Sequence, residues 1–577
     1  MARLTPPGSF HPQVAGGSAA PVLRVSPPHI STRGTSMDIA SSPTSSTSTD
    51  VDVAVVGAGF AGLYLLHRLR GQGLSVRVFE AGSGVGGTWF WNRYPGARCD
   101  IESVDYQYSF DDDLIRDWQW SERYPRQEEL LAYLNHVADR FELRRDISLN
   151  TRVTASIFDD VAQTWTVTTD QNERISARFV ILATGCLTAA RTPDFDGLDD
   201  FAGQWYHTAR WPDGGVDFTG KRVGIIGTGS SGIQSIPVIA DQAEALTVFQ
   251  RTANYSVPAG NHVLSDSERK DGADGFDARR RMQKESFLGM SVPMVEAAAA
   301  DMPSEERDAI LEERWQMGGL PMYGAFADVL TDESSNNAAK EFFAKKIRAK
   351  VDDPDVAERL IPKGYPFGGK RICVDTNYFE TFNRDNVTLV DVNESPIERI
   401  TANGIKAGDT EYELDAIVFA TGFDAFTGAL SAIDIRGRNG QALTEKWQDG
   451  PRNLLGLAMS GFPNMFLITG PGSPSVFSNM VVSIEQHSDW IADAIAHMQD
   501  TDARIIEATD TAEDEWVAHV NEVADSTLLP QANSWYNGAN VPGKPRIFMA
   551  YLGGVGDYRL HCDEVARAGY KGFALTR

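Results

Sequence analysis

Cysteine is scarce: four in 577 residues (Cys99, Cys186, Cys373, Cys562), with no C-x-x-C pair. That excludes a disulfide framework and a thiolate zinc site, and it fits a reducing, cytoplasmic setting. It also argues against a disulfide reductase, which needs two neighbouring thiols. Long apolar runs are missing: no stretch of about 18 such residues occurs, so no membrane span is expected. Basic residues are outnumbered, 53 Lys and Arg against 79 Asp and Glu, for a formal charge of −26. Nucleic-acid binding needs a basic face, so the surplus reads instead as a solvated acidic surface. Residues 1–50 lack acid altogether before Asp38, and Ser, Pro, Thr and Gly dominate them. Such a segment buries too little apolar surface to offset its ordering entropy. A disordered tail is expected, with Met37 an alternative start.

The remainder has ordinary globular composition, 42% apolar and 23% charged, and its length implies two or three domains. An apolar strand, Val53–Val56, leads into Gly57-Ala58-Gly59-Phe60-Ala61-Gly62. A helical pattern follows through Leu63, Leu66 and Leu69, then a strand Val76–Phe79 ending at Glu80. This is the strand–helix–strand setting of a dinucleotide fingerprint. Gly57 permits the tight turn, Gly59 lets the backbone approach a pyrophosphate, and Gly62 lets the helix sit on the strand. The helix N-terminus offers partial positive charge to phosphate. Glu80 can accept hydrogen bonds from ribose hydroxyls.

The unit recurs at Arg222–Ile226, Gly227-Thr228-Gly229-Ser230-Ser231-Gly232, a helix to about Gln242 and a strand Ala245–Phe249. Here the second strand ends in Gln250-Arg251-Thr252, without an acid. Arginine in place of the ribose-binding carboxylate is the change expected for a 2′-phosphate, hence NADPH over NADH. A plain surface arginine is the competing reading. Ser230 and Ser231 sit in no G-x-S-x-G elbow, so a hydrolase is not indicated. Two further strands, from Phe179 and from Asp415, end in Ala-Thr-Gly at Gly185 and Gly422. The expected fold is therefore α/β, with two interleaved Rossmann-like dinucleotide-binding domains. One would hold a fixed FAD, the other an exchanging nicotinamide that gives it hydride.

Between the fingerprints lies Phe201-Ala-Gly203-Gln-Trp-Tyr-His207-Thr-Ala-Arg-Trp211-Pro212. It resembles the F-x-G-x-x-x-H-x-x-x-W-P signature of type I Baeyer–Villiger monooxygenases. Related flavin-containing and N-hydroxylating monooxygenases lack the Trp-Pro ending. Gly87-Thr88-Trp89-Phe-Trp-Asn-Arg-Tyr94-Pro95-Gly96-Ala-Arg-Cys-Asp100 is similar to a second segment of that family, beside the flavin. Likeness continues through Gly470–Met480, Trp535 and Gly553–Gly556, from residue 51 to the C-terminus. The phenylacetone and steroid monooxygenase branch looks nearest.

The resemblance implies NADPH- and O2-dependent conversion of a ketone to an ester or lactone, through a flavin C4a-peroxide and a tetrahedral adduct. It implies Arg371 as the charge stabilising that adduct, held by Asp100, and Lys370 on the NADPH 2′-phosphate. It adds Gly87, Thr88, Trp89, Tyr106 and Met480 to the flavin side, and Trp535 to the nicotinamide side. A fixed positive charge is what such chemistry needs, and arginine does not give its proton away. His207 is implied to be a linker residue rather than a base. Ser475-Val476-Phe477 matches a substrate loop, in which Phe477 would narrow the pocket.

The domain expectation is a tail at 1–50, then an FAD-binding domain at 51–185 and 415–577. An NADP-binding domain takes 186–257 (with the linker signature at 201–212) and 367–414, with a helical insertion at 258–366. Methionines in the insertion (Met290, Met294, Met302, Met317, Met322) read as core packing. The expected partners are a small ketone and O2, in a monomer or weak homo-oligomer. The rivals are nitrogen or sulfur oxygenation, and a non-catalytic flavoprotein.

Overall fold

Val51–Val56 is an inner strand of the first sheet, in a computed structural model describing residues 51–191, 194–292 and 294–577. The tail at 1–50, and with it the choice between Met1 and Met37, lies outside the described residues. Continuous apolar strands need cover on both faces, and that is where parallel sheets form. Val51–Val56 accordingly pairs in parallel with Val76–Phe79 on one side and Arg174–Leu182 on the other. The last of these turns antiparallel to Thr164–Thr169, which pairs with Val153–Asp159. Ile147–Ser148 adds to the edge at Val76–Phe79, and Met465–Leu467 and Asp434–Arg436, far along the chain, complete the sheet in parallel.

A second sheet is wholly parallel. Its order is Val387–Asp391, Ala245–Gln250, Arg222–Ile226, Ala416–Phe419, Gln204–His207. This corrects the expected boundary at 415. Ala416–Phe419 bonds Arg222–Ile226 on one edge and Gln204–His207 on the other, so it belongs to the second sheet. The return to the first sheet falls beyond Gly422. The two chain crossings are thus alike: each Ala-Thr-Gly ends a strand beside the first strand of its fingerprint.

The segment 258–366 carries helices at Asp266–Asp274, Phe276–Glu285, Ser304–Met317, Glu333–Lys350 and Pro354–Leu360. Its packing is divided. Leu311, Trp315, Met322 and Phe343 join the large core under the first sheet, whereas Ile347, Ala357 and Leu360 join that of the second. Met322 and Met290 are buried, Met302 and Met317 partly so, and Met294 is exposed; the methionines form no continuous stripe.

The two fingerprints are built by one rule. Gly57 (φ 106°) and Gly227 (φ 110°) take a backbone conformation that side chains rarely adopt. A Cβ on either would stand 2.5 Å from a carbonyl oxygen, that of Ala183 or of Ala420. These are the alanines of the two Ala-Thr-Gly turns, so fingerprint and crossing are pressed together in each half. Gly62 and Gly232 hold the helices down: a Cβ there would lie 1.8 and 2.2 Å from the carbonyl oxygens of Gly57 and Gly227. Gly62→Ala is expected to force helix and strand apart and cost about 2–3 kcal/mol. Gly71→Ala, at the far end of the same helix with nothing within 4 Å, should be neutral or stabilise by up to about 1 kcal/mol. Urea unfolding of both variants checks the pair.

Candidate active site

One continuous cleft of about 1840 Å³ runs past both fingerprints. Single-ligand pockets reach roughly 1,000 Å³, so this space suits two large ligands end to end. Of the residues expected to hold FAD or NADPH or to serve the reaction, all line it except Gly62 and Gly232, which face the strands as helix-packing positions. Nine basic side chains border the cleft against four acidic ones, the reverse of the chain's overall balance.

In the first half, the helix Phe60–Gly71 begins at the cleft with Gly59 as its cap. Glu80 is buried at the end of the second strand, and its carboxylate accepts the Ala58 and Gly82 N–H groups at 2.8 and 2.7 Å. It therefore shapes the fingerprint turn itself, with lone pairs remaining for a ribose. Gly87, Thr88 and Trp89 close over the turn, and a Cβ on Gly59 would meet the Gly87 Cα at 3.3 Å. The Trp89 indole N–H is buried at the cleft without a partner, a donor free for a ligand. Tyr106 meets Trp89 edge-on, centroids 5.9 Å apart, and burial drives its phenol far above the usual range. Met480 starts the helix Met480–Asp500 at the same wall.

In the second half, Ser230 and Ser231 open the helix Ser230–Gln242, while the Thr228 hydroxyl donates to the Thr252 carbonyl at 2.9 Å. Gln250 occupies the place of Glu80 but turns its amide to the Arg359 carbonyl at 2.7 Å. Arg251 and Lys370 then face the cleft together. Burial, and next the neighbouring Arg251, push the Lys370 ammonium down to about 8. Two cations close together in a partly dry place are a site in want of a dianion.

Arg371 stands between the halves. Its Nε and Nη2 donate side-on to Asp100 at 2.6 and 2.9 Å, and Nη1 donates to the Val476 carbonyl at 2.7 Å. Burial works against the charge, but Asp100 outweighs it and holds the guanidinium protonated well above its ordinary value. The pair is 13% and 23% exposed, at the cleft wall.

Some residues do more than the sequence indicated. The Tyr94 hydroxyl lies 2.9 Å from Gln234 Oε1, on the second fingerprint helix, and Gln234 donates back to the Arg98 carbonyl at 3.0 Å. The segment 87–100 thus covers the first fingerprint and grips the helix of the second. His207 accepts the Ala209 N–H on Nδ1 at 3.1 Å, so Nε2 carries the proton toward Thr421 Oγ1 at 3.2 Å. Burial, then Arg210, hold the ring neutral, its value pushed down to about 4. It ties the linker to the second Ala-Thr-Gly turn. Phe477 does not line the cleft. Its ring turns into a cluster with Phe287, Tyr323 and Tyr536, centroids 5.9 Å away in each case, while Val476 and Ser478 face the space. The expectation that Phe477 narrows the pocket by direct contact is corrected accordingly. Trp535 lines the cleft against Tyr536. Tyr323 and Tyr536, which approach Arg371, carry no local motif; only the fold brings them there.

Two fused dinucleotide folds with a shared cleft define the class of two-site nucleotide-dependent oxidoreductases. Residues 50–267 match the family model for flavin-binding monooxygenase-like proteins. Over 531 residues the chain is 47% identical to an acetone monooxygenase (methyl acetate-forming) of Gordonia sp. (strain TY-5), covering 92% of this chain and 99% of that one. A phenazine N-monooxygenase of Lysobacter antibioticus is 41% identical, over 91% and 97%. Among solved structures, an oxidized steroid monooxygenase bound to NADP is 55% identical, with a TM-score of 0.89 over 92% and 100% of the two chains. Methyl acetate from acetone is oxygen insertion beside a carbonyl, the Baeyer–Villiger outcome. The chain belongs to the Baeyer–Villiger monooxygenases.

Asp100→Asn keeps the shape and removes the counter-charge of a largely buried arginine. A loss of about 3 kcal/mol is expected in urea unfolding. Adding Arg371→Met to Asp100→Asn should recover part of it, because the uncompensated charge goes too; additive losses would show that the two residues are not coupled.

Proposed function

We propose that this protein oxidises a ketone to an ester or lactone at the junction of two dinucleotide sites, using FAD, NADPH and O2. The observation that carries the reading is the Asp100–Arg371 pair, a permanent positive charge fixed side-on in the seam between two glycine cradles. FAD is assigned to the first cradle: Gly57, Gly59, Gly62, Glu80, Gly87, Thr88, Trp89, Asp100, Tyr106 and Met480. NADPH is assigned to the second: Gly227 to Gly232, Arg251, Thr252, Lys370, Arg371 and Trp535. The unpartnered Trp89 N–H and the side-chain-free approach at both turns suit these ligands. In domain terms, 51–185 and the chain after Gly422 serve FAD. Residues 186–257 and 367 to Gly422 serve NADPH, with 258–366 as insertion. We assign the protein to the cytoplasm as a monomer or weak homo-oligomer, in keeping with four buried, unpaired cysteines.

FAD, when bound and reduced, supplies the redox and oxygen-activating chemistry. One oxygen atom enters between the carbonyl carbon and its neighbour, the other leaves as water, and NADPH provides the electrons. Arg371 serves this in two ways. Its fixed charge stabilises the oxyanion formed as the carbonyl is attacked, and a guanidinium releases no proton that would quench the attacking oxygen. Asp100 fixes the plane of the guanidinium and leaves its remaining N–H groups for the reacting oxygen. Lys370 and Arg251 bind the 2′-phosphate, and Thr252 closes that corner.

A second reading, nitrogen oxygenation, is favoured by the similarity to a phenazine N-monooxygenase. That chemistry uses a protonated oxygen donor, which Arg371 does not furnish. Product mass spectrometry with acetone, cyclohexanone, phenylacetone, cyclododecanone and progesterone decides between them. Ketone-stimulated NADPH use with an ester or lactone 16 mass units heavier is expected. Hydrogen peroxide alone from ketones, with amines or thioethers oxygenated, would overturn the reading.

Affinity for NADP+ should be full between about pH 7 and 8, where the 2′-phosphate is a dianion, and weaken above it. The free protein sheds the Lys370 proton near that value, whereas the phosphate complex retains it. Each further pH unit is expected to cost up to about tenfold in Kd. Lys370→Met should weaken NADP+ binding, flatten the profile and leave NAD+ unaffected. A profile already flat from pH 7 to 9.5 in the unaltered protein would sink the assignment.

A further inference from the structure

The segment that bears Arg371 is held from behind by the helical insertion, at two points. In the first, Asn336 on the helix Glu333–Lys350 accepts the Phe367 N–H at 2.9 Å and donates to the Phe367 carbonyl at 3.0 Å. In the second, the Tyr323 hydroxyl accepts the Ile372 N–H at 3.1 Å and faces the Lys370 carbonyl at 3.5 Å. The hydroxyl therefore straddles Arg371, touching the backbone on either side of it. Asn336 and Tyr323 are 2% and 1% exposed. The Tyr323 ring is packed by Phe367 and Phe477, centroids 6.0 and 5.9 Å away, so it has no freedom to leave.

We infer that Tyr323 is a positioning residue for Arg371, and that the helical insertion is the frame in which the reactive charge is set. The physical need is plain. Asp100 and the Val476 carbonyl hold the guanidinium at its tip, but an arginine side chain has several rotatable bonds between tip and backbone. A tip anchored on groups from other segments stays in place only if the base of the chain is fixed as well. The base here stands two residues before a three-residue strand, Cys373–Asp375, whose one ladder partner among the described residues is the equally short Ser256–Pro258. It has little ladder of its own to hold it. Tyr323 supplies the missing anchor next to Arg371, and Asn336 supplies one four residues earlier. A displacement of about 1 Å at a reacting centre can cost a hundredfold in rate. Tyr323 acts through Arg371 and does not itself touch the reacting atoms.

This inference rests on the proposed reaction for its catalytic consequence but not for its structural one, and the experiment separates the two. Tyr323→Phe removes one oxygen atom and keeps the ring. Tyr255→Phe is the matched control, since the Tyr255 hydroxyl is buried in the adjoining aromatic cluster without a partner. Both variants are prepared as FAD-loaded full-length protein. Amide hydrogen exchange at Ile372 and turnover of the panel ketone that the unaltered protein uses fastest are then measured. For Tyr323→Phe, exchange at Ile372 should quicken at least tenfold. The kcat for ester should fall about tenfold with KM for the ketone within twofold, and the share of NADPH ending as hydrogen peroxide should rise. Tyr255→Phe should change none of these. Exchange and kcat within twofold of the unaltered protein in Tyr323→Phe, or equal losses in Tyr255→Phe, would overturn the inference. A protein that oxygenates no ketone, yet shows the exchange effect, overturns the reaction assignment while the clamp stands.

Discussion

A partly buried ion pair between Asp100 and Arg371 sets the terms for the rest of this molecule. Its partners, and the Val476 carbonyl that completes it, come from segments hundreds of residues apart. Taking two charges out of water is costly, and the attraction between them offsets that only when the geometry is good and further hydrogen bonds are made. The surrounding architecture can be understood as meeting that condition. The segment 87–100 must reach across from the first fingerprint, and its Tyr94–Gln234 contact fastens it to the second. The loop 475–478 must bring a carbonyl inward, and it does so by turning Phe477 away into an aromatic cluster. The insertion braces the strand behind. The contacts that hold the ion pair also shape the wall of the cleft between the two halves.

The two nucleotide halves share a backbone rule and differ in charge at one corner. In each, a glycine with positive φ is pressed on the alanine carbonyl of an Ala-Thr-Gly turn, and a second glycine lets the helix lie on the first. This contact couples each glycine turn to the place where the chain leaves one sheet for the other. The difference is at the end of the second strand. Glu80 in the first half is committed to two backbone N–H groups, a permanent part of the turn. Arg251 and Lys370 in the second half have no such commitment, and burial with mutual repulsion loosens the lysine proton. A corner that is internally satisfied suits a ligand that stays. One that is left strained suits a ligand that arrives, relieves the strain and departs.

Much of this was legible in the sequence because it is encoded locally. Fingerprint glycines, flanking apolar strands and the helices that follow each fingerprint, one through Leu69 and one to about Gln242, follow from spacing alone, and their ends agree with the structure to within a residue or two. What was not legible is non-local. Ala416–Phe419 was assigned by its neighbours in sequence to the wrong sheet, since nothing in four apolar residues says which strands they will bond. Phe477 was assigned to the cleft by its place in a loop. Only the positions of Phe287, Tyr323 and Tyr536 decide that its ring points elsewhere. Tyr323 itself lies in a segment with no motif, and its meaning comes entirely from what lies across from its hydroxyl.

The overall charge presents the opposite lesson. A net charge of −26 argues against a polyanionic macromolecule, yet dinucleotides are anions too. The resolution is one of length scale. At physiological salt, surface charges more than about 8 Å away are largely screened, so an approaching nucleotide responds to the cleft rim rather than to the whole surface. That rim is basic, nine cations against four acids. An extended polyanion would have to lie along the acidic exterior as well, and would meet repulsion over most of its length. A compact anion entering the cleft meets only the local field, strengthened by the low-dielectric walls. Concentrating cations there has its own cost, visible in the depressed lysine. Arg371, between the two halves, escapes that cost because it carries its own carboxylate, Asp100, and so keeps its charge whether or not a nucleotide is bound.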